Sequence, residues 1–267
     1  MKTIIAGTDF TPASINACEY AAFLAQKLNC KLIIFNLFEA PILHSNVGLY
    51  GISYSGQKSE SLQRTGKFVK QLQNHFPKIS IDYFVTFGGF KRELENFVAE
   101  HKIEVAVLGL AAKNKISKFI YGSHGVDLAG KINCPVIIVP SSYKTHKLSK
   151  VLLTVDSNEK LQRSSLKGFE RFIENSKTKL SLLHVRTEDE LFHPIKTTLT
   201  INGKALPIEE KRSKDIQNGV KKYCAVNNSD LVAIISKKHS VFYDLFIESH
   251  TKKIAFAANV PVMAIHE

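Results

Sequence analysis

The sequence predicts an α/β protein built from two tandem, doubly wound parallel-sheet domains, and three observations carry that prediction. Its strands read as near-continuous apolar runs, such as E-V-A-V-L-G (Glu104–Gly109). Runs of this kind belong to strands covered on both faces, as in a parallel sheet between helices. Helix-period stretches separate them, which makes βαβ units with right-handed crossovers. The third observation is that the plan is written twice. Lys2–Phe10 has its counterpart in Lys150–Ser157, Cys30–Phe38 in Lys179–Val185, Glu104–Gly109 in Asp230–Ser236, and Asn133–Pro140 in Asn259–Ile265.

The elements follow in order. K-T-I-I-A-G-T-D-F (Lys2–Phe10) is a short strand that runs out at Asp9. Thr11-Pro12 supplies an N-cap and a first-turn proline. Ile15, Cys18, Ala21, Ala22, Ala25 and Leu28 then share one helix face. The second strand, Cys30–Phe38, leads into a glycine- and serine-rich loop, Val47–Gly56, and a helix over Ser61–His75. A strand over Ile79–Phe87 and a helix over Lys91–Glu100 bring the chain to the fourth strand, Glu104–Gly109. The last strand, Asn133–Pro140, closes the first half. Ser141–Ser149 is polar and unpatterned, so the domains are expected at residues 1–143 and 149–267. The second half is shorter between its second and fourth strands. There Thr197–Pro207 reads as a strand or hairpin and one helix, around Glu209–Cys224, follows, so a crossover helix is expected to be missing.

Composition narrows the function. The net charge of +12 is spread along the chain, with 17 basic against 10 acidic residues up to Lys147 and 19 against 14 after it. Diffuse charge without an aromatic-basic motif or a helix-turn-helix pattern describes a solvated surface, and nucleic acid is not the expected partner. No apolar run of about 18 residues suggests a membrane span. Asp9 interrupts the apolar stretch that a secretion signal would need. The four cysteines, Cys18, Cys30, Cys134 and Cys224, form no C-x-x-C pair, which fits buried thiols in a reducing cytoplasm.

The chemistry-bearing stretch is V-L-G-L-A-A-K-N-K-I-S-K-F-I-Y-G-S-H-G, from Val107 to Gly125. Asp9 and Gly109 both fall at strand ends, where a doubly wound sheet binds ligands. Gly122-Ser123 would open a helix whose free N–H groups suit a phosphate. The competing reading is plain loop geometry, in which Gly109 ends a strand and Gly122 makes a turn. No G-x-x-x-x-G-K-[ST] is present and no G-x-G-x-x-G follows a strand. Residues and spacing alone therefore reach an α/β protein with a candidate anion site.

The tandem layout resembles the universal stress protein family over nearly the whole chain. Its nucleotide-binding members carry glycine, two residues, glycine, nine residues, then glycine-serine or glycine-threonine before a C-P-V-type strand. Here that reads Gly109, Leu110-Ala111, Ala112, Lys113–Tyr121, Gly122-Ser123, and later Cys134-Pro135-Val136. The resemblance implies a Rossmann-like fold of the adenine nucleotide alpha hydrolase-like class. It also implies ATP or a related adenine nucleotide in the first domain only, with Mg at most as the nucleotide's companion. Thr8, Asp9 and Leu37 would surround adenine and Gly109 would lie near the ribose. Ala112, Gly122, Ser123 and His124 would lie near the phosphates. Ala112 keeps its N–H, but a left-handed conformation there would cost an L-residue about 1–2 kcal/mol.

In the second half the same positions read Ser236, Lys237-Lys238, His239, nine residues and Ser249-His250, with every glycine replaced. That half is expected to bind no nucleotide. His239, Asp244, Glu248 and His250 have no recognised metal-ligand spacing, so no metal site is expected. The resemblance further implies that Val136–Val139 and Val262–Ile265 pair within the chain as a pseudo-dimer, with homodimerisation left open. Three functions stand at this point: an ATP-regulated stress-response protein, a nucleotide-free interaction module of the same fold with unknown protein partners, and a slow ATPase. Gly109–Gly125 contains no acid, the nearest being Asp127, so no catalytic residue is assigned.

Overall fold

The computed structural model describes residues 2–38, 54–111, 132, 134–155, 163–187, 197–236 and 259–266. In the first half these form β1 (Thr3–Thr8), α1 (Pro12–Leu28), β2 (Lys31–Phe38), α2 (Tyr54–His75), β3 (Ile81–Phe87), α3 (Phe90–Glu100), β4 (Ile103–Leu110) and β5 (Val136–Pro140). The second half holds β6 (Lys150–Thr154), α4 (Arg163–Ser176), β7 (Lys179–Arg186), β8 (Thr198–Ile201), β9 (Lys204–Arg212), α5 (Ile216–Asn227), β10 (Leu231–Ser236) and β11 (Val262–His266).

All the strands join one sheet in the order β3-β2-β1-β4-β5-β11-β10-β6-β7-β9-β8. Each half contributes the same doubly wound order, and the two copies face each other across the middle. Among the described residues every pairing is parallel except two, the β8–β9 hairpin and the central β5–β11 seam. At the seam Ile138 pairs with Val262, Ile137 with Met263 and Val136 with Ala264. Val136 and Val262 are equivalent in the repeat, as are Ile138 and Ala264, so a local two-fold axis passes through the Ile137–Met263 pair. Successive strand residues face opposite sides. Ile4, Val107, Leu153 and Met263 therefore build the core on one face, and Ile5, Ala106, Leu152 and Val262 the core on the other. Each core draws on both halves without a break.

Local chemistry explains the element ends. Thr11 caps α1 by accepting from the Ser14 N–H at 3.3 Å, with Pro12 beginning the helix and the left-handed Asn29 (φ 52°) ending it. The helix buries Ala13, Ala17, Ala21, Ala22 and Ala25. Such small residues let it lie close against the sheet. After β5 the chain is held by Asn16, whose amide donates to Pro140 O at 3.2 Å and Tyr143 O at 2.9 Å. The buried Asp230 carboxylate then accepts from Ser149 N at 2.7 Å and Lys150 N at 2.9 Å, which fixes where β6 begins.

Three elements differ from the sequence expectation. Helix α2 begins at Tyr54 rather than near Ser61, taking in Ser55 and Gly56 despite their poor helix propensity. The stretch Glu209–Arg212 continues β9, and α5 starts only after Asp215, whose carboxylate caps Asn218 N at 2.7 Å. Between β7 and β9 the described residues hold a strand in place of a helix. Strand β8 runs antiparallel to β9, so it makes the return journey that α2 makes in the first half. It turns at Asn202-Gly203, both left-handed at φ 49° and 73°.

The four thiols are free and buried. Burial pushes Cys224 up to about 11 and Cys134 up to about 12, and raises Cys18 and Cys30 as well. A thiol in the unfolded chain ionises near 9.0. Between about pH 9 and about pH 11 the folded state thus holds protons that the unfolded state has released, and stability falls as pH rises. The urea midpoint is expected to drop across that window. A midpoint flat from about pH 8 to about pH 11 would contradict the burial of these groups.

Candidate functional site

A cleft of about 450 Å³ opens beyond the carboxyl ends of β1 and β2. That volume lies within the ~300–1,000 Å³ of small-molecule sites. Asp9 and Phe10 line it from β1, Asn36, Leu37 and Phe38 from β2, and Gly88 and Phe90 from the β3–α3 turn. The remaining wall comes from α2, through Gln57, Glu60, Ser61 and Arg64.

The floor is a hydrogen-bonded lattice. Thr8 is fully buried, with its Oγ1 3.2 Å from Ser14 Oγ and accepting from Phe10 N at 3.1 Å. The Asp9 carboxylate accepts from Thr11 N at 3.0 Å and Thr11 Oγ1 at 2.6 Å, which ties the strand end to the cap of α1. Buried Asn36 donates to Thr8 O at 2.8 Å and accepts from Ser61 on α2, so one amide joins three elements beneath the cleft. Replacing Asn36 with leucine keeps the branched shape but leaves Ser61 Oγ and Thr8 O without this partner. Leaving such groups unsatisfied costs about 1–3 kcal/mol. Urea unfolding of Asn36→Leu is expected to show a loss of about 2 kcal/mol, and wild-type stability in that variant would rule the lattice out as a support.

Phe10 lines the cleft from the left-handed region, at φ 59°. There it packs edge-on to Phe68 at 6.0 Å, and the Arg64 guanidinium lies 4.1 Å from the ring centroid. This arrangement combines an aromatic face with a cation at the rim. No sequence signal marked Phe10, Gln57 or Arg64. Asn36 was not singled out either, although it is a polar residue inside an apolar strand.

Of the residues singled out in the sequence, Asp9 and Leu37 come together on the cleft wall, with Thr8 directly beneath. Gly109 lies on β4, paired with Val139, and a Cβ there would meet Ala13 O at 2.3 Å. Its lack of a side chain is thus required by the contact with α1. Ala112, Gly122, Ser123 and His124 lie outside the described residues, as do Asp156, His239, Asp244, Glu248 and His250.

The second half keeps one bond of the floor and changes the wall. Thr8 pairs in register with Asn36, and Thr154 with Leu183, so His184 takes Asn36's place beside Val155. Its Nδ1 donates to Val155 O at 3.1 Å, the counterpart of the Asn36–Thr8 bond. Where Phe38 and Phe87 stand in the first half, the second has Arg186 and Arg212. Arg186 is buried and forks onto Glu210 at 2.7 and 3.3 Å, and it holds the Glu210 carboxyl below its usual range.

Among the described residues no helix is long and apolar enough to cross a membrane. The sequence finds no match among curated proteins. The fold matches the crystal structure of a universal stress protein from Archaeoglobus fulgidus DSM 4304 over 99% of this chain and 96% of that one, at 14% identity and a TM-score of 0.66. A functionally unknown protein from Pseudomonas aeruginosa PAO1 aligns over 99% of this chain and 92% of its own, at 12% identity and a TM-score of 0.55. About half of the chain (52%, against 96% of the other) also aligns with a universal stress protein crystallised in complex with cAMP, at 20% identity and a TM-score of 0.38. The profile of the Universal stress protein family matches residues 1–140, more than half of the sequence, and the chain belongs to that family.

Proposed function

We propose that this protein acts in a stress response by binding an adenine nucleotide, ATP foremost, in its first half as a regulatory ligand. The observation that carries this reading is the cleft at the ends of β1 and β2, which has Asp9 and Leu37 on its wall. Those two residues are the ones that the family resemblance implies around adenine. The Gly109–His124 stretch, with Ala112 in a glycine's place, leaves the end of β4, the neighbour of β1, and would supply the phosphate contacts through Gly122, Ser123 and His124. Free buried thiols support a cytoplasmic setting. The second half acts as a structural partner, since an arginine–glutamate pair stands where the first half has its aromatic wall.

Calorimetric titration of nucleotide-stripped protein with ATP tests the reading. One saturable site per chain is expected, abolished in Gly122→Asp, which sets a carboxylate against the phosphates. Absence of heat up to millimolar ATP would overturn it and leave a nucleotide-free interaction module, the reading that Ala112 and the altered second half favour.

A further inference from the structure

We infer that the outer edge of β3 docks an extended segment of a partner protein, apolar at its centre and acidic at its ends. Among the described residues β3 ends the sheet, with β2 on its inner side. Natural sheets guard such an edge, often with charge. The equivalent strand of the second half, β9, does so through Glu209, Glu210, Lys211 and Arg212. Strand β3, I-D-Y-F-V-T-F, has one charge, Asp82, and Lys31 already pairs with it at 3.1 Å. Five large apolar side chains are exposed among the described residues, and four of them lie here: Leu62, Tyr83, Phe84 and Phe87, each 37–46% exposed. Scattered singly such residues mean little, but gathered along one edge they mark an interaction site.

The backbone selects an extended partner. Gln73 Oε1 accepts from Ile81 N at 3.2 Å and Asp82 Oδ1 from Tyr83 N at 2.9 Å, whereas Ser80 O accepts from Leu32 N on β2 at 2.9 Å. Odd-numbered residues of β3 thus turn their N–H groups away from β2. Side chains cap the first two, and Val85 presents its N–H and C=O to an incoming strand. Charge selects the ends of that strand. Lys58, Leu62, Gly66 and Lys70 recur every fourth residue of α2 and form one stripe. A Cβ at Gly66 would lie 3.4 Å from the Tyr83 hydroxyl, so the stripe runs beside β3. Both lysines are exposed and form no ion pair among the described residues. They bracket the apolar stretch with positive charge, which an acidic-ended segment complements. A second copy of the chain fits poorly. Antiparallel pairing of two β3 strands would bring the two α2 helices together antiparallel, each Lys58 beside the other copy's Lys70, like charge against like.

The probe is the end-blocked, fluorescently labelled peptide E-E-V-T-Y-T-V-E-E, titrated against the full-length chain by anisotropy and compared with K-K-V-T-Y-T-V-K-K. Wild type is expected to bind the acidic peptide saturably, at least about tenfold more tightly than the basic one. Lys58→Glu and Lys70→Glu together should reverse that preference, with unchanged thermal unfolding showing that the variant folds. Val85→Pro, which removes the outward donor, should weaken the acidic peptide at least about tenfold. No saturable binding up to about millimolar peptide, or equal affinity for the two peptides, would overturn the proposal. Oligothymidylate binding as tightly as the acidic peptide would overturn it in favour of nucleic acid. Sedimentation of wild type as a dimer that Val85→Pro returns to monomer would overturn it in favour of a second copy.

Discussion

Gly109→Ala is expected to destabilise the protein by about 3 kcal/mol or more, at the upper end of overpacking costs. The added Cβ would lie 2.3 Å from Ala13 O, 2.5 Å from Ala13 C and 2.9 Å from Ser14 N. These are backbone atoms of the first turn of α1, so no side chain can swing aside to make room. The helix itself must back away from β4, and it carries Ser14, to which Thr8 is bonded, and Thr11, to which Asp9 is bonded. One methyl group should thus loosen the floor of the cleft as well as the core. Urea unfolding with an unchanged m-value would measure the loss. If Gly109→Ala unfolded like wild type and lost only nucleotide, its glycine would be there for the ligand, and the close approach to α1 would count for little.

The second large effect is expected at the seam. Ile137 and Met263 are both fully buried and pair at its centre. In Ile137→Asp an ionised carboxylate would have to enter the core that Ile137 shares with Met263, without a partner, or take up a proton to do so. With the lost apolar contact, about 2–5 kcal/mol for such truncations, this approaches the whole ~5–15 kcal/mol stability of a folded protein. Ile137→Asp should lose its cooperative unfolding transition and near-UV circular dichroism. The conservative Ile137→Val should cost only about 1 kcal/mol. A well-folded aspartate variant, less than about 2 kcal/mol below wild type, would mean that the seam contributes little to stability.

How far the sequence could be read depended on the range of the interaction concerned. Strands such as Glu104–Gly109 were legible because both faces are buried, which imposes a continuous apolar run. The cap at Thr11-Pro12 was legible because a few neighbouring residues decide it. The start of α2 was not, since Ser55 and Gly56 disfavour a helix and only the surrounding fold keeps them in one. Glu209–Arg212 carries four charges in a row, and pairing with β7 alone makes it a strand. Within the site, family resemblance located Asp9 and Leu37. The α2 wall stayed hidden, because nothing local relates Gln57 or Arg64 to residues some fifty positions earlier.

The antiparallel seam also sets how this protein should respond to dilution. Both sides of it belong to one chain, so each half meets its partner at a fixed, high local concentration. Folding of the intact protein should therefore be independent of how much protein is in the tube. A first half cut away near Ser142 would present the open edge of β5, and the pseudo-two-fold register allows a second such fragment to take the place of β11. The same contact would then obey mass action, and the fragment's unfolding temperature should rise with its concentration.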